Sequence, residues 1–280
     1  MACFAVLDTM AKYVSTLTPL VVAMWSRYMF QVLATSAVLL PQRGRGLFKT
    51  RHPRLQIFRG VLLACSSSLA FLSLSMLPVG EFTAILMLTP MLITLISVRK
   101  MGERVSAARW LLLAGGLAGA LLVIRPGAED FNWAMLIPVL LVIASAVFRL
   151  LTSYLSQDDE PGTTNFYTGA VAASLATLML PFGWITPSAP SVWGFLLLLG
   201  LFSTLGHILM IQGYSRASPA TLTPFLYFQL GFATLAGWLA FAHTPDVLSL
   251  AGIALIAVCG VGTTLLKGPK PGMVESEPAL

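Results

Sequence analysis

Long apolar stretches follow one another along the whole chain, separated by short breaks that contain polar residues, proline or glycine. Several stretches approach the ~20 residues that an α-helix needs to cross the hydrocarbon core of a bilayer. Turn-forming sequences such as "LPVG" at 77–80 and "DDEPG" at 158–162 lie between them. The pattern predicts helices over 2–17, 21–40, 57–77, 82–98, 109–124, 131–155, 165–181, 192–214, 219–241 and 248–266. The predicted fold class is an all-α membrane protein with about ten transmembrane helices.

The composition agrees with a membrane protein. Apolar residues make up 57% of the chain and charged residues only 10%, and the mean hydropathy is +0.84, whereas soluble domains contain ~25% charged residues. The three cysteines lie far apart, without the spacing of a disulfide framework or a zinc site. The sequence "GRGLFKT" at 44–50 lacks the glycine that precedes the lysine of a phosphate-binding loop. We expect no metal, no cofactor and no ATP-driven transport by this chain alone.

Lysine and arginine residues test the helix count independently, because cytoplasmic loops are enriched in them. If the N-terminus is cytoplasmic, only Arg125 of the 17 basic residues falls outside, and Lys12, Arg27 and Arg149 lie within spans. The others fall at the inner face: Arg43, Arg45, Lys49, Arg51, Arg54, Arg59, Arg99, Lys100, Arg104, Arg109, Arg216, Lys267 and Lys270. We predict a multi-pass protein of the cell inner membrane with both termini in the cytoplasm.

The net charge of +6 then lies mostly at the cytoplasmic membrane surface, where anionic lipids attract basic residues. A nucleic-acid site would need a folded basic domain to present these charges. We expect the lipid bilayer and a small-molecule substrate as partners, and no nucleic acid. A monomer and a homodimer both remain open.

The two halves of the chain show a weak internal repeat. A shift of 140 residues pairs Ser75 with Ser215, Thr83 with Thr223, Leu86 with Leu226, Thr94 with Thr234 and Leu95 with Leu235. Both segments fall on the fourth helix of a five-helix half and the approach to it. Because five is odd, the second half must enter the membrane in the opposite orientation, an arrangement typical of secondary transporters. We predict two inverted five-helix repeats at 1–126 and 127–266, followed by a disordered cytoplasmic tail at 267–280.

The run "LPVGEFTAILMLTPMLITLISVRKMGERVSAARWLLLAGGLAGALLVIRPG" at 77–127 resembles the first repeat of the EamA family in the drug/metabolite transporter superfamily. Its marks are Pro90 in the fourth helix, "GER" at 102–104 and a glycine-rich fifth helix that closes on "RPG". Arg27 in "MWSRYMF" matches an arginine early in that family's second helix. The stretch "SPATLTPFLYFQLGFATLAGWLAFAHTPDVLSLAGIALIAVCGV" looks like the family's second repeat. It departs from the family pattern at His243, where a glutamate is usual, and at Leu230, where a proline is common.

The resemblance implies a ten-helix carrier that moves small organic metabolites by alternating access. We expect a secondary transporter that exports amino-acid-like or related metabolites. The alternative is an uptake carrier for a vitamin or nucleoside-type metabolite, riboflavin-like or S-adenosylmethionine-like. Protons are one coupling ion to test. Because residues 1–14 span roughly 21 Å against ~30 Å of hydrocarbon, we expect the translation start to lie upstream.

Asp8 and Lys12 lie four positions apart in the first apolar stretch. A charge at the bilayer centre costs about 2.5–3.5 kcal/mol on insertion scales, so such residues need partners or a function. Acid before base at this spacing favours an ion pair on one helix. The alternatives are a self-neutralising pair, with Lys12 reaching the outer interface beside Tyr13, and an Asp8 that faces a central cavity as a substrate or proton site.

Polar stripes at helical spacing indicate further candidates. Arg27 has a structural or electrostatic role by the family match. Arg149 either faces the helix interface or extends to the inner membrane surface. His207 is either a packing residue or a proton relay. The stripes consist of Ser145, Arg149, Thr152 and Ser156, and of Ser203, His207, Met210 and Tyr214. The other candidates to bind substrate or line the cavity are Tyr227, Gln229, Thr83, Met87 and Thr94.

An intramembrane enzyme is the remote alternative. The sequence "GYSR" at 213–216 resembles in miniature the glycine-x-serine of rhomboid-type proteases, with His243 as a conceivable base. The predicted topology places Ser215 at the inner edge and His243 at the outer edge of the membrane. Because a nucleophile and its base must share a hydrogen bond, we expect no enzyme activity. A receptor or scaffold would leave the polar stripes unexplained.

Overall fold

The computed structural model describes residues 1–101, 106–124, 133–187, 189–217, 219–222, 225–226, 228–241 and 246–266. The first half contains α1 (Ala2–Ser15), α2 (Leu20–Arg43), α3 (Pro53–Met76), α4 (Val79–Leu86), α5 (Thr89–Met101) and α6 (Ala107–Ile124). The second half contains α7 (Leu136–Leu155), α8 (Pro161–Gly183), α9 (Pro190–Tyr214), α10 (Pro219–Leu222), α11 (Phe228–Phe241) and α12 (Val247–Leu265). Short 3₁₀ turns cover Gly44–Phe48 and Trp133–Met135. The described residues contain no strand, which confirms the all-α class.

The fourth predicted helix, at 82–98, is interrupted. A turn at Met87 and Leu88 separates α4 from α5. Pro90 accounts for the break, because proline has no N–H to donate and its ring clashes with the carbonyl four positions earlier. If α4 and α5 count as one span, and α10 and α11 as another, the described residues contain the ten predicted elements.

Large apolar side chains are exposed on the outward faces of many helices, as expected where a helix contacts lipid. A soluble protein rarely exposes so much contiguous apolar surface. Among the exposed residues are Leu111, Leu178, Phe182, Leu197, Leu209, Leu239 and Leu265. Five spans are long and apolar enough to cross a bilayer: Pro53–Met76, Val79–Ile96, Leu136–Leu155, Pro161–Gly183 and Pro190–Tyr214. These features support a multi-pass membrane protein.

Helix contacts divide much of the protein into two groups. In bundle A, α7 packs against α3, α4 and α5, and in bundle B, α1 packs against α9 and α11. The contact of α4 with α11 joins the two bundles, and the short α10 contacts α5, α7 and α9. The helix α2 packs against α8, and α6 packs against α12. Each half of the chain therefore contributes its first helix to the bundle that the other half builds.

Glycines allow α6 and α12 to approach closely. A Cβ atom built on Gly252 would lie 2.6 Å from the carbonyl oxygen of Gly119, and one built on Gly119 would lie 2.7 Å from that of Gly252. A Cβ atom on Gly115 would lie 2.5 Å from Sγ of Cys259. The small-residue spacing of Gly115 and Gly119 therefore marks a close helix contact, as it does in many membrane proteins.

Replacing Gly252 by alanine is expected to destabilise the protein by about 1–3 kcal/mol, because the backbone of α6 blocks the new methyl group. Gly194 of α9 is a matched control, since nothing lies within 4 Å of its Cβ position. Gly194→Ala should be neutral or raise stability by up to about 1 kcal/mol, because alanine is the better helix former. Thermal unfolding in nanodiscs compares the two variants, and equal melting temperatures would contradict the close contact.

Candidate functional site

The two bundles meet at His207. The Phe148 ring of bundle A lies 5.8 Å from the His207 ring of bundle B, centroid to centroid, with the planes at 76°. Phe4 of α1 contacts the same histidine at 5.4 Å and 79°. Both contacts are edge-to-face, a favoured aromatic geometry. His207 is therefore held by two phenylalanines at the bundle interface.

Arg27 of α2 binds two polar residues of α9. Its Nε donates to Oγ of Ser203 at 2.6 Å, and its Nη2 lies 3.3 Å from Nε2 of His207. All three side chains are buried. Because a guanidinium only donates hydrogen bonds, Nε2 must accept, and the neutral ring carries its proton on Nδ1. The predicted stripe of Ser203 and His207 is thus the binding surface for Arg27.

Asp8 of α1 contacts α11. Its carboxylate Oδ2 accepts a hydrogen bond from Nε2 of Gln229 at 3.0 Å. The charges of Arg27 and Arg149 both act on this carboxylate. Three other residues predicted separately as site candidates, Gln229, Arg27 and Arg149, therefore act on Asp8.

Lys12 does not neutralise Asp8. Its Nζ donates to the carbonyl oxygens of Leu74 and Leu77, at 3.0 and 2.7 Å. These carbonyls lie at the C-terminal end of α3, where the helix dipole favours a cation. Of the two alternatives, the self-neutralising pair of Asp8 and Lys12 does not form, because helix-end carbonyls from bundle A bind the lysine instead.

Arg149 points between helices and contacts α9. Its Nη1 lies 3.5 Å from Sδ of Met210. Arg149 and Tyr214 line a cavity of about 120 Å³, together with Phe4, Met210 and Leu226. The buried Tyr214 hydroxyl has no hydrogen-bond partner within the described part of the chain. We call this space the inner cavity, because it lies toward the predicted cytoplasmic ends of α1 and α9.

A second cavity, of about 310 Å³, lies toward the predicted outer ends of α1 and α11. Bundle B contributes Lys12, Thr234 and Phe241 to this outer cavity. Bundle A contributes residues 76–80, between α3 and α4. Both cavities therefore open between the bundles.

The polar contacts separate the two cavities. Along α1, Phe4 lines the inner cavity and Lys12 the outer one, about 12 Å apart, with Asp8 between them. The same order holds in the second half, where Gln229 lies between Leu226 of the inner cavity and Thr234 of the outer cavity. Asp8 and Gln229 thus lie between the residues that line the two cavities.

The candidates on α4 and α5 have other surroundings. Thr83 is fully buried, and no described residue forms a hydrogen bond with its hydroxyl. Thr94 donates to the carbonyl oxygen of Pro90 in its own helix, at 2.9 Å. Met87 packs in an apolar cluster that also contains Ala84, Ala120, Val123, Leu230 and Ile256. The contacts of Met87 and Thr94 give no support to a cavity-lining role in this conformation.

The remaining residues singled out from the sequence have different surroundings. Ser145 is half-buried on α7. Thr152 is buried and accepts a hydrogen bond from Arg59. Tyr227 lies outside the described residues, as does His243. Ser215 donates to the carbonyl oxygen of Gln212 at the end of α9, at 2.9 Å.

The sequence pattern missed Arg59, which it placed with the basic residues of the inner membrane surface. The side chain is completely buried. Its Nε donates to Oγ1 of Thr152 at 2.9 Å, and its Nη1 to the carbonyl oxygen of Thr164 at 3.3 Å and to Oγ1 of Thr168. The guanidinium lies over the Phe148 ring, with Cζ 4.4 Å from the centroid. A signal existed, because α3 carries Gln56, Gly60, Leu63 and Ser67 on the same buried face.

The acidic run at 158–160 is more than a solvated turn. Asp159 is buried and accepts hydrogen bonds from the Thr50 hydroxyl, the Arg51 backbone N–H and Nε2 of Gln56. Burial alone would raise the pKa of Asp159, but these donors stabilise the carboxylate and leave its pKa below the usual value. The turn between α7 and α8 is thereby tied to the segment that joins α2 to α3.

The sequence matches the model of the EamA-like transporter family at residues 1–125 and 132–265. It is 26% identical over 261 residues to a riboflavin transporter of Brucella anthropi, which covers 90% of this chain and 91% of the relative. It is 27% identical over 252 residues to an S-adenosylmethionine uptake transporter of Rickettsia bellii, covering 89% and 85%. It is 25% identical over 265 residues to a pseudopaline exporter of Pseudomonas aeruginosa, covering 94% and 93%.

One solved crystal structure has the same fold, with a TM-score of 0.71 at 20% sequence identity, across 94% of this chain and 95% of that one. The relatives are transporters of small metabolites, not enzymes, so the protease alternative is rejected. The family match covers nearly the whole chain. The protein therefore belongs to the EamA-like transporter family of the drug/metabolite transporter superfamily and is a membrane transporter of small metabolites.

Proposed function

We propose that this transporter is a secondary carrier that exports amino-acid-like metabolites by alternating access. The observation that supports it most directly is the pair of cavities on opposite sides of Asp8 and Gln229. Each cavity lies between bundle A and bundle B. A rocking movement of one bundle against the other would widen one cavity as it closes the other, around a fixed central site.

The buried charges favour a substrate with both an anionic and a cationic group. The charges of Arg27 and Arg149 act on the Asp8 carboxylate, and those of Arg27, Arg59 and Arg149 act on His207. A guanidinium binds a carboxylate through two parallel hydrogen bonds. Asp8 accepts hydrogen bonds and matches an ammonium group. An amino-acid zwitterion carries both groups and fits this distribution of charge.

Uptake of a vitamin or nucleoside-type metabolite is the second candidate function. The names of the riboflavin and S-adenosylmethionine relatives favour it. S-adenosylmethionine itself carries an amino-acid group, which the same charges would bind. The two candidates therefore differ in direction and in the remainder of the substrate, and one assay addresses both.

We also propose that residues 1–126 and 127–266 are inverted repeats. If the halves are repeats, α1 corresponds to α7, α3 to α9 and α5 to α11. The α3–α7 contact then corresponds to the α9–α1 contact, and the α5–α7 contact corresponds to the α11–α1 contact. In the α2–α8 contact and in the α6–α12 contact, each helix packs against its own counterpart in the other half. The family model also matches each half separately. Cytoplasmic termini, the inner-membrane location, proton coupling and the choice between monomer and homodimer remain predictions.

Transport by the purified protein in proteoliposomes tests the proposed function. The panel contains amino acids, riboflavin and S-adenosylmethionine, each loaded inside or outside the vesicles, with and without an imposed proton gradient. We expect amino-acid flux above that of protein-free vesicles and faster flux with the gradient. Flux of riboflavin or S-adenosylmethionine alone would support the second candidate and contradict the first. Folded protein that moves no member of the panel would contradict both.

A further inference from the structure

We infer that Arg59 binds the anionic group of the transported substrate, an inference that rests on the proposed function. Nothing in the sequence pattern placed this residue at the site. Its guanidinium is completely buried and carries a permanent positive charge. Its observed partners, Thr152, Thr164, Thr168 and the Phe148 ring, are all neutral. Its Nη2 is buried and has no hydrogen-bond partner among the described residues.

The positive charge of Arg59 lacks a counter-ion in the described part of the chain. The ion pairs found there join Arg43 with Glu160, and Arg51 and His52 with Asp158. A buried cation without an anion is costly, and hydroxyl and carbonyl partners offset only part of that cost. A substrate carboxylate or phosphate would supply both the missing charge and an acceptor for Nη2.

Asp159 does not fill this role. Gln56 stands between the two residues, because its Nε2 donates to Oδ2 of Asp159 at 2.9 Å and to Oγ1 of Thr164 at 3.0 Å. The Asp159 carboxylate is also occupied by Thr50 and Arg51. Arg59 reaches only the carbonyl oxygen of Thr164 from this network. The acid therefore stabilises the helix ends and leaves the arginine available.

Phe148 closes the Arg59 site in this conformation. The ring has Arg59 at 4.4 Å and His207 at 5.8 Å. His207 is in turn bound to Arg27. One aromatic ring thus stands between Arg59 and the cluster at the bundle interface. Because Phe148 belongs to bundle A and His207 to bundle B, separation of the bundles frees the ring to turn. We infer that the substrate anion then reaches Nη2 of Arg59.

Ligand-dependent thermal stabilisation in nanodiscs tests this inference without requiring transport. The probes are benzoate and benzamide, which share a ring able to replace that of Phe148 and differ in charge. We expect benzoate, but not benzamide, to stabilise the wild type. Arg59→Gln should weaken the apparent affinity for benzoate by at least about tenfold, the effect of losing a charge-assisted hydrogen bond. Arg54→Gln is the matched control, since Arg54 is exposed on the same helix and should bind benzoate like the wild type.

Each outcome decides the inference. Equal benzoate affinity in the wild type and Arg59→Gln would overturn it, as would a wild type that benzoate does not stabilise. If Arg59→Gln does not fold, the benzoate affinity of Arg59→Lys is the deciding measurement, because lysine keeps the positive charge but loses the planar fork of the guanidinium. Wild-type affinity in Arg59→Lys would then overturn the inference, and weakened affinity would support it. Benzoate binding that depends on Arg59, without amino-acid flux, would support the anion site and reject the proposed substrate.

Discussion

Replacing Asp8 by asparagine is expected to lower gradient-driven transport by about 10- to 100-fold, the loss of one charge-assisted hydrogen bond. Asparagine has nearly the same shape and still accepts a hydrogen bond from Gln229, whose Nε2 lies 3.0 Å from the Asp8 carboxylate. The substitution therefore removes the charge and keeps the contact between α1 and α11. Flux into proteoliposomes measures the effect, with thermal unfolding as the check on folding.

Substrate exchange without a gradient separates the two possible roles of Asp8. If the carboxylate carries the coupling proton, Asp8→Asn should lose gradient-driven flux and retain exchange between labelled and unlabelled substrate. If it binds the ammonium group of the substrate, both should fall. Asp8→Glu is the matched control, since it keeps the charge and should retain part of the flux. Unchanged gradient-driven flux in a folded Asp8→Asn protein would show that the carboxylate is only structural.

The helices and their order were predictable because apolar periodicity and loop charge are local signals. Each span can be recognised from its own apolar residues, and the distribution of lysine and arginine among the loops then indicates the number of crossings. The break between α4 and α5 was also predictable from the sequence, because a proline such as Pro90 breaks or kinks a helix. The arrangement in which α1 joins bundle B and α7 joins bundle A was not predictable, since it depends on contacts between residues far apart in the sequence.

The contacts at the candidate site were harder to predict than its candidate residues. Asp8, Arg27 and His207 became candidates because polar groups in an apolar span need partners or a function. The partner of Lys12 was missed, because backbone carbonyls at a helix end leave no mark in the sequence. Arg59 and Asp159 were missed for a different reason. Both lie near helix ends, where a charged residue ordinarily reaches water, and only the packing of α3, α7 and α8 shows that they are enclosed.

Replacing Arg27 by glutamine is expected to cause the largest combined loss of stability and transport. The change removes the donors to Oγ of Ser203 and Nε2 of His207. Because both groups are buried, leaving them unpaired should destabilise the protein by about 2–4 kcal/mol. His207 would also lose the contact that fixes its tautomer, so we expect transport to fall by at least about tenfold.

The reasons for the Arg27 effect can be separated with two further variants. Arg27→Lys keeps the positive charge but cannot reach Ser203 and His207 with the same planar fork, so it should recover part of the stability and little of the transport. Arg43→Gln, at the exposed end of the same helix, should leave both near wild type, because a surface pair with Glu160 contributes little. Unfolding in nanodiscs and flux in proteoliposomes measure the two effects. If Arg27→Gln transports like the wild type, the contacts of Arg27 with Ser203 and His207 serve packing alone.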